Sequence, residues 1–177
     1  LSNLPDAQKA LPLIKPYLLL VNPYPLVQEH FILSDESHKP QNTENTAEDI
    51  IRLAQALSDY TIFFNAPVAR SDFQNHRHFH AVTRYKFPLD YAYNDLKGHF
   101  EFIAAHSGLM FYGMPAYPAA FFIVEGTDAR ALTCLLSKLT AVMPQRESRN
   151  IPMLNIIAMY RKQTWRLLLF PRRQCQP

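Results

Sequence analysis

The sequence predicts an α+β fold with a largely antiparallel sheet and helices packed on one face of it. Apolar runs of strand length outnumber the segments of helical periodicity, and short turn-like connections separate neighbouring strands. The length of 177 residues suits one domain, and 48% hydrophobic residues are enough for a sizeable core. We therefore expect residues 1–177 to form a single domain.

Seven segments are predicted as strands. Each is a short run rich in leucine, isoleucine, valine or aromatic residues, bounded by proline or by polar turn residues. They cover residues 17–21, 30–34, 60–65, about 75–84, 119–125, 153–160 and 164–170. The last two flank a three-residue turn and are predicted to form a hairpin.

Two helices are predicted between these strands. Thr46 and Asp49 have the spacing of a capping box, and apolar residues at helical spacing follow, so the first helix is expected to cover the sheet. Either Thr127 or Asp128 can cap the second helix. Residues 86–117 show a mixed pattern and are interpreted as an irregular connection.

The order of these elements indicates a duplicated unit. Residues 17–85 read as strand, strand, helix, strand, strand, and residues 118–177 read as strand, helix, strand, strand. The repetition lies in the order of elements, because the two segments show no visible residue-level repeat. We expect two related halves with these boundaries.

Charge and composition exclude several classes of protein. Eighteen lysines and arginines against 15 acidic residues give a net charge of +3, which favours a small anionic ligand but is too weak to predict nucleic-acid binding. The longest apolar runs have strand length, so neither a transmembrane helix nor a membrane partner is predicted. Cys134 and Cys175 are far apart without a CxxC spacing, which indicates a reducing compartment, predicted to be the cytoplasm, and argues against a thiolate zinc site.

Three histidines stand at alternate positions in the predicted strand 75–84. Side chains alternate between faces along a strand, so His76, His78 and His80 are expected to share one face. Such a surface suits either a transition metal or a phosphate that one imidazole attacks at phosphorus. The central ring, His78, is best placed for attack, but the residues alone leave both chemistries open.

This run, HRHFHAV at residues 76–82, resembles the signature of the histidine-triad superfamily, in which histidines alternate with hydrophobic residues. Arg77 departs from that pattern. Asn65 has the spacing of the asparagine that opens the superfamily's phosphate loop, and residues 29–33, followed by His38, are similar to its strand ending in a histidine near the ligand. The resemblance implies an α+β fold with a histidine-triad-like antiparallel sheet, helices on one face and two related halves.

Further residues resemble the large branch of this superfamily. That branch contains the galactose-1-phosphate uridylyltransferases, the diadenosine tetraphosphate phosphorylases and the GDP-galactose phosphorylases, and the residues concerned are Asn22 to Pro25 with His30, and 38–41. The C-terminal segment 153–177 looks most like the GDP-galactose phosphorylases. The resemblance implies a nucleotidyltransferase or phosphorylase that acts on a nucleoside diphosphate sugar, such as a GDP-hexose, or on a dinucleoside polyphosphate. A covalent nucleotidyl-histidine intermediate is implied, with no cofactor and no metal, and a homodimer is left open.

The resemblance also implies roles for individual residues. His78 would be the nucleophile, His80 would contact the α-phosphate and His76 would orient the strand. Asn22 would lie near the nucleotide, Asn65 at the phosphate or its loop, His38 with Lys39 or Gln41 at the rim, and Arg70 and Ser71 in the phosphate loop. The substrate-binding residues implied are therefore Asn22, His38, Lys39, Gln41, Asn65, Arg70 and Ser71.

Two alternatives to this function remain. The loop 66–75 contains no glycine, whereas the superfamily's loop is glycine-rich, and Asp72 would repel a phosphate that Arg70 and Ser71 could attract. A nucleotide-binding protein with an inactive site is therefore one alternative. A metal site formed by His76, His78 and His80 is the other.

Overall fold

One antiparallel sheet dominates the computed structural model, which describes residues 10–41, 45–66, 76–115, 117, 119–143 and 153–172, without the side chains of 89–91. Within these ranges ten strands pair in the order β1-β2-β3-β5-β4-β9-β10-β8-β7-β6. The strands are β1 (Leu11–Ile14), β2 (Tyr17–Val21), β3 (His30–Asp35), β4 (Tyr60–Phe64), β5 (His78–Thr83), β6 (Glu101–His106), β7 (Leu109–Gly113), β8 (Phe122–Gly126), β9 (Leu154–Arg161) and β10 (Thr164–Pro171).

Three α-helices accompany the sheet in the part of the chain described. They are α1 (Thr46–Ala56), α2 (Pro88–Leu96) and α3 (Ala129–Val142), and a short 3₁₀ segment, Lys97–His99, follows α2. Asp128 caps α3 as predicted, since its carboxylate accepts from the backbone N–H groups of Arg130 and Ala131. The predicted capping box of α1 is wrong. Asn45 is the N-cap residue and makes no side-chain capping bond.

The strand order repeats within the sheet. The first unit, β1 to β5 with α1, is ordered 1-2-3-5-4, and the second unit, β6 to β10 with α3, is ordered 6-7-8-10-9. The two units meet where β4 pairs antiparallel with β9. A local two-fold relation at this pair therefore exchanges β4 with β9 and β5 with β10.

Alternation along the strands gives the sheet two apolar faces. One face carries Leu33, Phe79 and Leu167 and packs under α1 and α3. The opposite face carries Phe63 and Val82 and contacts residues of α2 and its neighbouring loops. The expected helices on one face are thus α1 and α3, whereas α2 lies on the face that carries His80.

The segment 86–117 is more regular than its sequence indicates. It contains α2, the 3₁₀ segment, β6 and β7, and β1 is a further strand absent from the prediction. The other predicted strands and both predicted helices are found, which confirms the α+β class with an antiparallel sheet. No helix in the described ranges is long and apolar enough to cross a membrane.

Candidate active site

Neighbouring strands bring several histidines together on the α2 face of the sheet. Strand β5 lies between β3 and β4, with His80 opposite Ile32 on one side and Phe63 on the other. His78 and His80 lie two residues apart on β5, and their ring centroids are 5.1 Å apart. His30, at the start of β3, lies with its ring centroid 5.1 Å from that of His80.

The tautomer of His78 follows from its hydrogen bond to the backbone. Its Nδ1 lies 2.9 Å from the carbonyl oxygen of His76, which can only accept, so Nδ1 carries the proton and donates. In the neutral ring the lone pair is then on Nε2. His78 therefore presents a nitrogen that can act as a nucleophile.

A hydrogen-bonded chain orients His80. The backbone N–H of Leu26 donates to Nδ1 of His30 at 3.1 Å, so the proton of neutral His30 is on Nε2. That Nε2 lies 3.0 Å from Nδ1 of His80 and donates to it. Neutral His80 consequently carries its proton on Nε2. The pair thus combines one acceptor nitrogen with one N–H donor.

Phe63 packs against the rings of His80 and His30. Its ring stacks on His80 with centroids 4.7 Å apart and planes inclined by 8°. It also packs at 5.7 Å from the ring of His30. Because stacking fixes the plane of the His80 ring, the direction of its Nε2–H is fixed as well.

His76 does not share this arrangement, since β5 begins only at His78. The Nε2 of His76 donates to the carbonyl oxygen of Asp35 at 2.7 Å, and its Nδ1 lies 3.1 Å from Nδ1 of the exposed His38. Both nitrogens of His76 are thus engaged away from His80. His76 lies before β5, so the predicted strand start at about residue 75 is too early.

This orientation bears on the predicted metal alternative. A three-histidine metal site needs one nitrogen of each ring to converge on a common point. His76 instead faces the backbone of Asp35, and Nδ1 of His78 faces the backbone of His76. Among the described residues, no group of three or more His, Cys, Asp or Glu side chains is placed to hold a metal ion.

Gln41 holds the backbone of His78 in place. Its Oε1 accepts from the His78 N–H at 2.8 Å, and its Nε2 donates to the His78 carbonyl at 3.1 Å and to the Asn65 carbonyl at 3.5 Å. The side chain is buried rather than at the exposed rim that the resemblance implies. Gln41 therefore positions the histidine strand.

Lys39 and Asp35 form an ion pair beside the histidines. The Nζ of Lys39 lies 3.2 Å from Oδ2 of Asp35, and the lysine side chain is 49% exposed. Burial raises the pKa of Asp35, but two hydrogen bonds from Ser37 and the contact with Lys39 outweigh it and hold the pKa below its usual value. A carboxylate and an ammonium group are thus both charged near His76.

The remaining predicted site residues have different positions. The amide nitrogen of Asn22 lies 3.2 Å from Nδ1 of His30, so Asn22 contacts the histidine chain. Asn65 directly follows β4 and is exposed. Gln41 links it to His78, because the Gln41 side chain donates to the backbone carbonyls of both residues. Arg70 and Ser71 lie outside the described residues.

Two contributors are missing from the sequence prediction of the site. His30 belongs to a strand that supports the family resemblance, yet only its position opposite Val82 shows that its ring reaches His80. Phe63 reads as an ordinary core residue of β4. Only the register between strands identifies these two residues as part of the site, and one sequence does not specify that register.

Burial keeps the central histidines uncharged. It lowers the pKa of His78 more than the bond to the His76 carbonyl raises it, and it lowers the pKa of His30. Burial, together with the charges that His78 and His30 would carry, lowers the pKa of His80 to about 3. The neutral forms, and hence the tautomers assigned above, are retained at neutral pH.

We expect the ring resonances of His78 and His80 to remain unchanged in NMR spectra as the pH falls through about 6.5, where an unperturbed histidine titrates. Because the unfolded chain binds protons there and the folded rings do not, the free energy of unfolding should decrease as the pH falls from about 6.5 towards the lowered folded-state pKa values. A His80→Asn variant assigns the resonance. Half-protonation of His80 near pH 6.5 would contradict the neutral pair.

The fold has counterparts among solved structures. A DUF4931 family protein from Bacillus cereus superposes with a TM-score of 0.61 and 13% identity, covering 96% of this chain and 88% of that one. Yeast Ap4A phosphorylase Apa2 gives a TM-score of 0.57 and 17% identity, covering 91% of this chain. This chain spans 60% of the length of the yeast enzyme. Both proteins share this fold, which agrees with the predicted α+β class and its antiparallel sheet.

Sequence comparison gives a partial match. Residues 1–83 match a domain of unknown function, DUF4922. That segment includes β1 to β5, and therefore every histidine described above. Comparison with curated proteins finds no significant match.

Proposed function

We propose that the protein is a nucleotidyltransferase or phosphorylase that forms a covalent nucleotidyl-histidine at Nε2 of His78. Its substrate class is a nucleoside diphosphate sugar or a dinucleoside polyphosphate. The observation that carries the proposal is the hydrogen bond from Nδ1 of His78 to the carbonyl of His76, which leaves Nε2 with its lone pair.

The proposed reaction has two balanced steps. The Nε2 lone pair of His78 attacks the α-phosphorus, a P–N bond forms, and the P–O bond to the distal phosphate breaks with its electrons on the leaving phosphate. Phosphate or another acceptor oxygen then attacks the same phosphorus, the P–N bond breaks, and neutral His78 is regenerated.

Neighbouring groups can stabilise charge on the transferred phosphoryl group. The ring of His80 neighbours that of His78 and offers its Nε2–H as a donor, and it is held by His30 and by stacking on Phe63. Lys39, half-exposed near His76, can attract the distal phosphates. The low pKa of His80 means that it acts as a neutral donor and not as a cation.

The fold neighbours support the class of reaction. One of them is an Ap4A phosphorylase, and its fold extends over 91% of this chain. Phosphorolysis of a dinucleoside polyphosphate and transfer from a nucleotide sugar both pass a nucleoside monophosphate between oxygen nucleophiles. A single histidine nucleophile serves either reaction.

Trapping of the intermediate tests the proposal. The protein is incubated with labelled GDP-hexose or with labelled Ap4A, quenched in alkali because a phosphoramidate is acid-labile, digested and mapped by mass spectrometry. We expect label on the peptide that contains His78, released by acid or by added phosphate. Turnover without protein-bound label, or label on another residue, would reject the assignment.

A nucleotide-binding protein without turnover is the second candidate. The observation that favours it is the absence of glycine from residues 66–75, between Asn65 and His76. Calorimetry with the same nucleotides distinguishes the two. Saturable binding with neither label nor product would favour this candidate, and measurable turnover would remove it.

A further inference from the structure

We propose that the protein binds a phosphate-bearing small molecule in a second, basic cavity that is lined by residues of both strand units, apart from the histidine site. The cavity has a volume of about 400 Å³. That volume is within the range of pockets that hold small ligands. Its wall comes from the residues just before β4, those just after β5, the end of β9 with the following turn, β10 and α2.

The charge of the cavity favours an anion. Arg84, Arg161, Lys162 and Arg166 contribute cationic side chains to its wall, and Asp59 contributes a carboxylate. Leaving buried Arg161 aside, the described cations Arg84, Lys162 and Arg166 still outnumber the acids Asp59 and Glu125, of which Glu125 pairs with Arg166. Guanidinium groups bind phosphate oxygens through paired N–H donors, so a phosphate group fits this wall better than a neutral ligand.

Two of these cations are held rigidly. Arg161 is buried, and its guanidinium donates to the backbone carbonyls of Ser58, Tyr60 and Tyr160. Arg166 donates from Nε to Glu125 at 2.9 Å, which engages one of the five guanidinium N–H groups. Fixed cations lose little conformational entropy on binding, so the wall is prepared for an anion.

The repeated strand order relates this cavity to the histidine site. Phe63 and Ile157 form the middle pair between β4 and β9, and each also pairs with the neighbouring strand of its own unit. In the first unit Phe63 is opposite His80, and in the second Ile157 is opposite Leu168. The two-fold relation thus superimposes His80 on Leu168.

Two residues earlier along these strands, the same relation superimposes His78 on Arg166. The partners across the next strand also correspond, because Ser34 pairs with His78 and Glu125 pairs with Arg166. An arginine at the position of the nucleophile cannot attack phosphorus, since its guanidinium stays protonated. It can hold a phosphoryl oxygen, so we assign this cavity to binding and not to catalysis.

The cavity and the histidine site are separate. Arg84 directly follows β5, four residues after His80, which corresponds to about 13 Å at the rise of an extended strand. None of the cavity residues named above contacts His30, His78 or His80 in the hydrogen bonds described. A ligand in the cavity can therefore be detected independently of the chemistry at His78.

Lysine acylation in the presence of inorganic pyrophosphate, at fixed ionic strength, tests the site in the unmodified protein. Pyrophosphate in the cavity should slow acylation of Lys162 and leave exposed Lys138 on α3 unchanged. Lys39 reports occupancy of the histidine site separately. Protection of Lys162 supports the second site whatever happens at Lys39. Equal acylation of Lys162 with and without saturating pyrophosphate would overturn it.

Matched variants complete the test. The double variant Arg84→Gln/Lys162→Gln should weaken pyrophosphate binding at this site by at least about tenfold, since it removes two charged hydrogen-bond donors from the wall. The control, Arg130→Gln/Lys138→Gln on the surface of α3, loses the same charge and should bind like the wild type. Equal weakening in both variants would mean that only net charge matters and would reject the cavity.

Discussion

The His78→Ala variant is expected to form no nucleotidyl intermediate and to lose turnover by about 10⁶-fold, the scale on which removal of a covalent nucleophile acts in other enzymes. The reason is that no other described imidazole nitrogen combines a lone pair with this position. The Nδ1 of His80 accepts from His30, and its Nε2 carries the proton. Quantification of alkali-stable label, together with single-turnover rates, measures the loss.

His76→Ala is the matched control for this experiment. The hydrogen bond that orients His78 uses the backbone carbonyl of His76, which alanine retains, while the imidazole of His76 faces Asp35 and His38. Label should therefore persist in His76→Ala. If His78→Ala is labelled as strongly as the wild type, or if both variants lose label equally, His78 is not the nucleophile.

Local sequence patterns predict the elements whose faces differ in burial. In β5 the buried Phe79 and Ala81 alternate with the half-buried His78 and His80, which is the alternation that predicts the strand. In α1, apolar residues at helical spacing are buried against the sheet. In these segments the order of apolar and polar residues matches the pattern of burial. A single sequence is therefore enough to predict them.

Strand β6 lacks that signal. All six of its residues are exposed, including Phe102 and Ile103, because β6 is the edge strand and no element in the described part of the chain covers either of its faces. Its sequence consequently shows no alternation of apolar and polar residues. A start signal for α2 is present in Pro88 at the first helical turn, but the other prolines of the segment obscure it.

The details of the site depend on contacts between distant residues. Gln41 reaches the backbone of His78 across 37 positions, and His30 reaches His80 across 50. The imidazole of His76 is held by its bond to the carbonyl of Asp35, which lies at the end of β3. Spacing predicts which residue types gather, whereas register and loop geometry decide which atoms meet.

Arg77 shows how a departure from the family pattern is accommodated. The position is buried, as a hydrophobic residue would be, and the guanidinium forms an ion pair with Asp49 of α1. Asp49 also accepts from the hydroxyl of Tyr17 at 2.8 Å. Burial and the hydrogen bond to Asp49 both raise the pKa of Tyr17, which keeps its hydroxyl a donor. This network ties the residue between His76 and His78 to the helix.

Asp49→Ala is therefore expected to lower the free energy of unfolding by about 3–5 kcal/mol, the cost of leaving one partner of a buried ion pair uncompensated. Arg77 is only 3% exposed and cannot recover its hydration without a local rearrangement. Denaturant unfolding followed by tryptophan fluorescence measures the change. The single tryptophan, Trp165, is buried and donates to the carbonyl of Ile51, which lies in α1 together with Asp49.

Two further variants separate burial of the charge from loss of a contact. Arg52→Ala removes the other cation that pairs with Asp49, but that side chain is 40% exposed, so its loss should cost less than about 1 kcal/mol. In the double variant Asp49→Ala/Arg77→Met no buried charge is left unpaired, and part of the lost stability should return. If Asp49→Ala costs no more than Arg52→Ala, the Arg77 ion pair does not anchor the histidine strand to α1.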